Sequence, residues 1–191
     1  LGLAYDSKGR LYAADGRSGM ISVFDAATRE LLLSFGGREY INQPTNIALN
    51  ETLGRVYVTD AAAHKVVAFD TQGNYLFSFG EKGGGLGQLY APVGIAVGPK
   101  GNVYVAEFLN ARIHVFDQDG QPLRFFGERG DWEWQFEGPR GLAFTSDGYL
   151  VIAEARKAAL AIYDPETGKP MLFLGGRPSR SQSFAQNAWQ S

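Results

Sequence analysis

One spacing limits what this chain can fold into: an aromatic residue followed by aspartate returns every 45 to 47 residues. The pairs are Phe24-Asp25, Phe69-Asp70, Phe116-Asp117 and Tyr163-Asp164. Two further markers follow nearly the same period, namely a carboxylate at Asp15, Asp60, Glu107 and Glu154 and a hydrophobic-Gly pair at Phe35-Gly36, Phe79-Gly80, Phe126-Gly127 and Leu174-Gly175. Three markers that share one period over four copies indicate a repeat protein.

Each copy is predicted to contain four short strands. In the third copy these are GIAV, NVYVAE, RIHVFD and PLRFFG, with the turn sequences GPKG and DQDG between the first two and the last two. Strands such as LVIAE and RVYVTD are almost continuously apolar, which is typical of sheets buried on both faces. Small sheets that repeat and pack face to face predict an all-β fold, a β-propeller. A linear β-sandwich is the alternative, but it does not predict so regular a repeat.

The composition excludes several kinds of function. The chain has 18 basic and 20 acidic residues, a balance that argues against a nucleic-acid partner. It has no cysteine, which excludes disulfides, thiolate nucleophiles and cysteine-based zinc sites. No apolar run reaches the roughly 18 residues needed to span a bilayer, so no membrane partner is predicted.

The third copy resembles a known repeat. Residues 92–130 read PVGIAVGPKGNVYVAEFLNARIHVFDQDGQPLRFFGERG, with Pro-x-Gly-Ile-Ala at the start, Asn110-x-Arg112-Ile before the third strand and Phe-Gly at the end. This pattern is similar to the NHL repeat, and looser versions of it extend to about Arg177. The resemblance implies propeller blades in a ring that is typically six-bladed. The other copies have Gly19-Met20, His64-Lys65 and Ala158-Ala159 in the Asn-x-Arg region, so the polar contacts of the motif are expected only in the third copy.

Four blades are expected, at about residues 1–43, 44–91, 92–138 and 139–177, with residues 178–191 forming a connector towards a missing blade or a disordered tail. Leu1 aligns with Val93, and Gln182 and Phe184 resemble a connector. These matches predict four blades of a longer six-bladed ring, with a four-bladed ring as the alternative. Open edges of such a partial ring predict self-association or packing against the remaining blades.

In an up-and-down sheet, the loops after the second strands share one face of the disc with the connectors between blades. On this face the connector GERGDWEWQFEGP (127–139) has Trp132 where GEKGGGLGQLYAP (80–92) has Gly85. Gln135 and Phe136 take the places of Gln88 and Leu89 and are expected to anchor the connector. Since tryptophan disfavours a positive φ that glycine adopts readily, the two connectors are expected to differ in path.

The same face is the predicted surface for a protein partner. Two tryptophans close to Phe and Leu, with charged residues around them, have the composition of an interaction hot spot. The alternative is that the indoles fold back and fill a gap at the blade edge. The residues predicted to bind the partner are Phe108, Leu109, Asn110, Arg112, Trp132, Trp134 and His64.

Four carboxylates at the ends of the second strands are the weak candidates for a metal site: Asp15, Asp60, Glu107 and Glu154. Oxygen ligands near a channel mouth suit calcium or magnesium. The alternative is structural, in which each carboxylate caps loop N–H groups or pairs with a nearby cation, as Glu107 would with Arg112. His64 and His114 occupy unlike positions and do not predict a histidine metal site.

The expected function is therefore a non-catalytic propeller scaffold for protein–protein interaction, without a cofactor. The alternative is a metal-dependent hydrolase or lyase of propeller type that uses the channel mouth and a divalent cation. The sequence leaves the compartment open, whereas the family resemblance implies an exported or periplasmic bacterial protein.

Overall fold

The computed structural model describes residues 2–130, 132 and 134–175. These residues form four antiparallel sheets, each a meander of four strands in chain order, so the all-β prediction of four-stranded propeller blades is confirmed. The first two blades contain β1 (Leu3–Tyr5), β2 (Arg10–Ala14), β3 (Met20–Asp25), β4 (Leu31–Gly36), β5 (Pro44–Asn50), β6 (Arg55–Asp60), β7 (Lys65–Asp70) and β8 (Tyr75–Phe79). The last two contain β9 (Pro92–Val97), β10 (Val103–Glu107), β11 (Arg112–Phe116), β12 (Pro122–Phe126), β13 (Pro139–Phe144), β14 (Leu150–Glu154), β15 (Ala159–Tyr163) and β16 (Pro170–Gly175). The predicted tail 178–191, with Gln182 and Phe184, lies outside the described residues.

In the recurring aromatic-Asp pair, the aromatic ring is buried between blades and the aspartate begins a turn. Phe116 is fully buried between the second and third blades. Oδ1 of Asp117 accepts hydrogen bonds from the backbone N–H groups of Asp119 (2.9 Å) and Gln121 (2.8 Å), and Gly120 completes the turn with a φ of 82°. An aspartate that caps its own turn in this way favours the sharp reversal between the third and fourth strands.

The first strand of each blade lies against the first strand of the next, β1 with β5, β5 with β9 and β9 with β13. The glycine of the Pro-x-Gly start permits this approach. A Cβ atom on Gly94 would collide with the carbonyl oxygen of Arg140, and one on Gly2 would collide with the backbone of Asn46. The innermost strands of the first and third blades therefore need glycine at this position for steric reasons, whereas the second blade has Asn46 there.

Burial differs between the inner and the outer blades. Strands β10 and β11 are buried throughout, as expected for a sheet packed on both faces. In the first blade Leu3 is 58% exposed, whereas Ile95, at the same repeat position, is 3% exposed. In the fourth blade Leu160 is 43% exposed, whereas Ile113 is fully buried. The prediction that every sheet is buried on both faces is therefore wrong for the first and fourth blades, because no described blade covers their outer faces.

The loops divide between two faces of the disc, as the up-and-down topology predicts. The turn after β11 meets the neighbouring blade through Arg55, which donates to Gln118 O and to the Asp119 carboxylate. The opposite face, here called the connector face, is formed by the loops 15–19, 61–64, 108–111 and 155–158 and the connectors 37–43, 80–91 and 127–138. Within the described part of the chain, no helix has the length and hydropathy needed to cross a membrane.

Candidate functional site

The 80–91 and 127–138 connectors share one hydrogen-bond pattern. In the first, Gly85 N–H donates to Oε1 of Gln88 (2.9 Å) and Gln88 N–H donates back to Gly85 O (3.2 Å). In the second, Trp132 N–H donates to Oε1 of Gln135 (3.3 Å) and Gln135 N–H donates to Trp132 O (3.0 Å). Gly85 does not adopt a positive φ, so tryptophan can occupy the equivalent position without backbone strain. The two connectors therefore share this hydrogen-bond pattern, while Gly87, at the repeat position of Trp134, has a positive φ of 84°.

Each connector is anchored by one buried side chain. Leu89 and Phe136 are both fully buried, and each forms a bridge to the start of its own connector, at Lys82 and Arg129. Phe136 packs on the ring of Tyr163 with a centroid distance of 5.5 Å. The predicted anchoring at the blade junctions is confirmed.

Arg112 holds the backbone of the 80–91 connector. Its guanidinium donates to the carbonyl oxygens of Gly84 (2.7 Å), Gly85 (3.2 Å) and Gln88 (3.0 Å). Asn110 adds a hydrogen bond to Gly83 O at 2.8 Å. The Asn and Arg of the third copy thus fasten the preceding connector to their own blade.

Different side chains hold the 127–138 connector. Nζ of Lys157 donates to Trp132 O and to Gln135 O (2.6 Å), the repeat equivalents of two carbonyls that Arg112 contacts. The Tyr163 hydroxyl donates to Trp134 O at 3.2 Å. Lys157 occupies the repeat position of Asn110, while the position of Arg112 holds alanine. The backbone pattern is therefore kept although the side chains that support it have changed.

A buried ionic cluster lies beneath the 80–91 connector. Oε1 of Glu107 accepts Nε–H of Arg112 at 2.5 Å and lies 3.2 Å from Nδ1 of His114. Gly87 N–H donates to Nε2 of His114 at 3.2 Å, which makes that nitrogen an acceptor and leaves Nδ1 to carry the proton towards Glu107. Glu107 and His114 are fully buried, and the guanidinium lies 4.0 Å from the ring centroid of Phe125. The predicted pair of Arg112 with Glu107 is present, and it includes a histidine.

The other three carboxylates at the strand ends also accept hydrogen bonds from nearby loops. Asp60 accepts the backbone N–H of Asn42 at 2.7 Å and of Gln43 at 3.1 Å. Asp15 accepts Arg17 N–H at 2.9 Å and the Ser18 hydroxyl at 2.6 Å. Among the described residues, no group of three His, Asp or Glu side chains converges as a metal site would require.

Glu154 differs from its three counterparts. Its Oε2 accepts the N–H groups of Glu137 (3.0 Å) and Gly138 (3.2 Å), but Oε1 is buried and has no hydrogen-bond partner among the described residues. The alanines at 159 and 161 stand where the third blade has its Arg and His. Burial raises the pKa of Glu154, which outweighs the opposing effect of the two N–H groups and of the positive charge on Lys157.

Trp132 and Trp134 are the most prominent apolar side chains of the connector face. Their rings stack with a centroid distance of 5.5 Å and an interplanar angle of 28°. Each indole is 49% exposed, so neither folds back fully into the blade edge. Leu109, 43% exposed, is linked to this connector by a hydrogen bond from Arg129 to its carbonyl oxygen at 2.8 Å.

Phe108 is half-buried between two cations of the fourth blade. The guanidinium carbons of Arg140 and Arg156 lie 4.9 Å and 5.2 Å from its ring centroid. Such contacts contribute about 0.5–1 kcal/mol each at exposed sites. They orient both arginines on the connector face.

The remaining predicted partner residues lie at the preceding blade junction. His64 has a φ of 56°, as the last residue of its loop, and its Nδ1 accepts Ala91 N–H at 3.1 Å. Arg112 is 5% exposed and its donors are engaged inside the chain. Asn110 is also occupied, by Gly83 and Glu107. The structure therefore groups Trp132 and Trp134 with the Leu109 loop and places the other three residues in supporting roles.

Comparison with family models identifies one segment of the chain. Residues 89–116 match the model of the NHL repeat. This segment is therefore similar to the NHL repeat. It ends with β11 and includes Asn110 and Arg112, so the resemblance predicted for the third copy is confirmed. No protein in a search of curated sequences matches the chain.

Solved propeller-like structures resemble the chain in fold. A catalytically inactive virginiamycin B lyase from Staphylococcus aureus with quinupristin superposes with a TM-score of 0.71 at 19% identity, covering 94% of this chain and 56% of that one. A streptogramin B lyase gives 0.70 at 18% identity, covering 94% and 55%. Kuenenia stuttgartiensis hydrazine synthase gives 0.69 at 20% identity, covering 90% and 47%. The chain thus spans about half the length of these proteins, and identities this low show the shared fold alone.

Sequence reasoning missed two features of the third and fourth blades. One is the exchange of Arg112 for Lys157 as the side chain that holds the connector, because the two residues occupy different repeat positions. The other is the unpartnered oxygen of Glu154. This oxygen could have been found by aligning the copies, because the fourth copy has alanine at the positions of Arg112 and His114.

Proposed function

We propose that this chain is part of an NHL-type β-propeller that acts as a non-catalytic scaffold, and that a protein partner binds its connector face. The contact residues are Trp132 and Trp134 at the centre, with Leu109 and Phe108 beside them. The observation that supports this proposal is the stacked pair of indoles, each half exposed on a connector whose backbone is held from below.

The energetics of interfaces favour this surface. Tryptophan is enriched among residues whose loss costs about 2 kcal/mol or more of binding free energy. An indole also loses little conformational entropy on binding, because it has only two side-chain torsions. Here the hydrogen bonds from Lys157 and Tyr163 to the connector backbone reduce that loss further, because they order the segment before a partner arrives.

The test is a double variant, Trp132→Ala with Trp134→Ala, measured against the partner that the native chain captures from a lysate. The affinity is expected to fall at least about 30-fold, which corresponds to a loss of about 2 kcal/mol. Leu86→Ala is the matched control, because Leu86 is 57% exposed on the equivalent connector. Unchanged affinity of the double variant, with its circular dichroism intact, would refute the proposal.

The second candidate is a metal-dependent hydrolase or lyase of propeller type. It is retained because two of the similar folds are those of lyases. Metal analysis of the purified protein separates the two candidates. A stoichiometric divalent ion that is lost in Glu107→Gln or Glu154→Gln would support the enzyme and count against the scaffold.

We also propose that the outer faces of the first and fourth blades pack against further blades, supplied by a second copy or by the remainder of a ring. The support comes from the repeat positions: Leu3 and Leu160 are exposed, while Ile95 and Ile113 at the same positions are buried between blades.

A further inference from the structure

A cleft of about 730 Å³ opens where the inner edges of the four blades meet. It is lined by residues of every blade: Gly16, Arg17, Gln43, Pro44, Thr45, Asn46, Val93, Arg140 and Gly141. The residue after the blade-opening proline contributes in three copies, as Thr45, Val93 and Arg140. This repeat position therefore faces the axis, and only the fourth blade places a cation there.

The lining of the cleft is positively charged. It includes Arg17 and Arg140 but no carboxylate. Within the described residues, neither guanidinium has an ion pair or a hydrogen bond; the carboxylate of Asp15 accepts Arg17 N–H and the Ser18 hydroxyl, and its charge is near enough to interact with that of Arg17. Arg140 is held against the ring of Phe108, which orients it without using its donors. Two arginines with unused donors thus contribute positive potential to one concave site.

Neutral donors lie beside the two arginines. The side-chain amides of Gln43 and Asn46 line the cleft, and their nitrogens donate to no described residue. The planar guanidinium matches the paired oxygens of a carboxylate or phosphate, and charge-assisted hydrogen bonds of this kind are about twice as strong as neutral ones. The volume of the cleft lies within the range of small-molecule sites, about 300–1,000 Å³.

We propose that this cleft binds a small molecule through a carboxylate or phosphate group, with Arg17 and Arg140 as its charged ligands and Gln43 and Asn46 as neutral donors. The site lies at the inner edges of the four blades and does not include the tryptophan pair. It therefore does not depend on the proposed protein partner, and either proposal can fail without the other.

The experiment is a titration of ¹⁵N-labelled protein with inorganic phosphate and, separately, with succinate, at constant ionic strength. The Nε–Hε signals of Arg17 and Arg140 are expected to move together with either anion and to saturate. Arg17→Ala and Arg140→Ala should each weaken binding about tenfold or more, the loss expected for a hydrogen bond to a charged group. Lys8→Ala removes the same charge from the opposite face and should leave the affinity unchanged.

The response to each anion identifies the source of the ligand chemistry. Saturable binding of phosphate alone points to a phosphorylated compound, and binding of succinate alone points to a carboxylate. Both results support the site. Shifts of similar size at all exposed arginines, or equal weakening by Lys8→Ala and Arg140→Ala, would show general charge screening and overturn the proposal. So would the absence of any shift at Arg17 and Arg140.

Discussion

Replacing Arg112 with methionine removes the cation of the buried ion pair together with the other contacts of its guanidinium. Methionine keeps the apolar stem of the side chain but loses the cation–π contact of the guanidinium with Phe125. The substitution removes the cation that lies 2.5 Å from the fully buried carboxylate of Glu107 and three hydrogen bonds to the 80–91 connector. His114 remains as the one side chain on that oxygen.

The expected cost follows from the burial of the carboxylate. Removing one partner of a buried pair leaves an uncompensated charge and destabilises proteins by about 3–5 kcal/mol. For a domain of this size, that corresponds to a decrease in Tm of roughly 6–20 °C. Urea unfolding followed by tryptophan fluorescence gives the free energy of unfolding by linear extrapolation.

Two comparisons make the result specific to the ion pair. Arg129→Met removes an exposed arginine with one hydrogen bond to Leu109 O, and should cost less than about 1 kcal/mol. The double variant Glu107→Gln with Arg112→Met should be more stable than Arg112→Met alone, because no unpaired charge stays buried. If Arg112→Met costs no more than Arg129→Met, or if the double variant is the less stable one, the reasoning is refuted.

The remaining predictions concern Glu154 and the open blade faces. Burial raises the pKa of Glu154 in the folded state above its ordinary value of 4.5. Between these two pKa values the folded state holds a proton that the unfolded state has lost. The native chain therefore loses stability as the pH rises from 4.5 to the raised pKa. The free energy of unfolding of Glu154→Gln minus that of the native chain should therefore increase with pH above 4.5, and a flat or falling difference in urea unfolding would contradict this. For the open faces, Leu3→Cys and Leu160→Cys occupy the repeat positions of Ile95 and Val66, which share one buried cluster. A bismaleimide should cross-link a mixture of the two cysteine variants into a dimer, and it should cross-link neither variant alone. The native chain has no cysteine, so any cross-link joins the introduced residues. Dimers in the single-variant samples would contradict head-to-tail packing.

The fold could be predicted because its determinants are local. Asp117 and Gly120 fix a turn from within a few residues; the aspartate recurs in every copy, and the glycine recurs in all but the first, where Arg29 takes the positive φ. The glycine of the Pro-x-Gly start indicates close contact between inner strands, and the backbone atoms that surround Gly94 confirm this contact. Such signals depend on spacing along the chain, and spacing is what a sequence shows directly.

The site was less predictable because its contacts join residues that are distant in sequence. In the sequence, Arg112 looks like an exposed cation beside a loop. In the structure, its partners are carbonyl groups 24 to 28 residues earlier in the chain. His114 lies within the third strand of its blade, where the sequence does not indicate that its ring nitrogens contact Gly87 N–H and Glu107 in the ionic cluster. The exposure of Trp132 and Trp134 depends on where Lys157 and Tyr163 hold the connector, which no local pattern encodes.

The third and fourth blades show how one backbone arrangement supports two kinds of surface. In the third blade, Arg112 both neutralises the strand-end carboxylate and holds the connector. In the fourth, Lys157 holds the connector at Trp132 and Gln135, while one oxygen of Glu154 has no hydrogen-bond partner in the described part of the chain. The destabilising group therefore lies in the same blade junction as the exposed indoles. Proteins commonly tolerate such a local loss of stability at functional sites, so the position of Glu154 supports the proposal that a partner binds at this junction, independently of the exposure of the indoles.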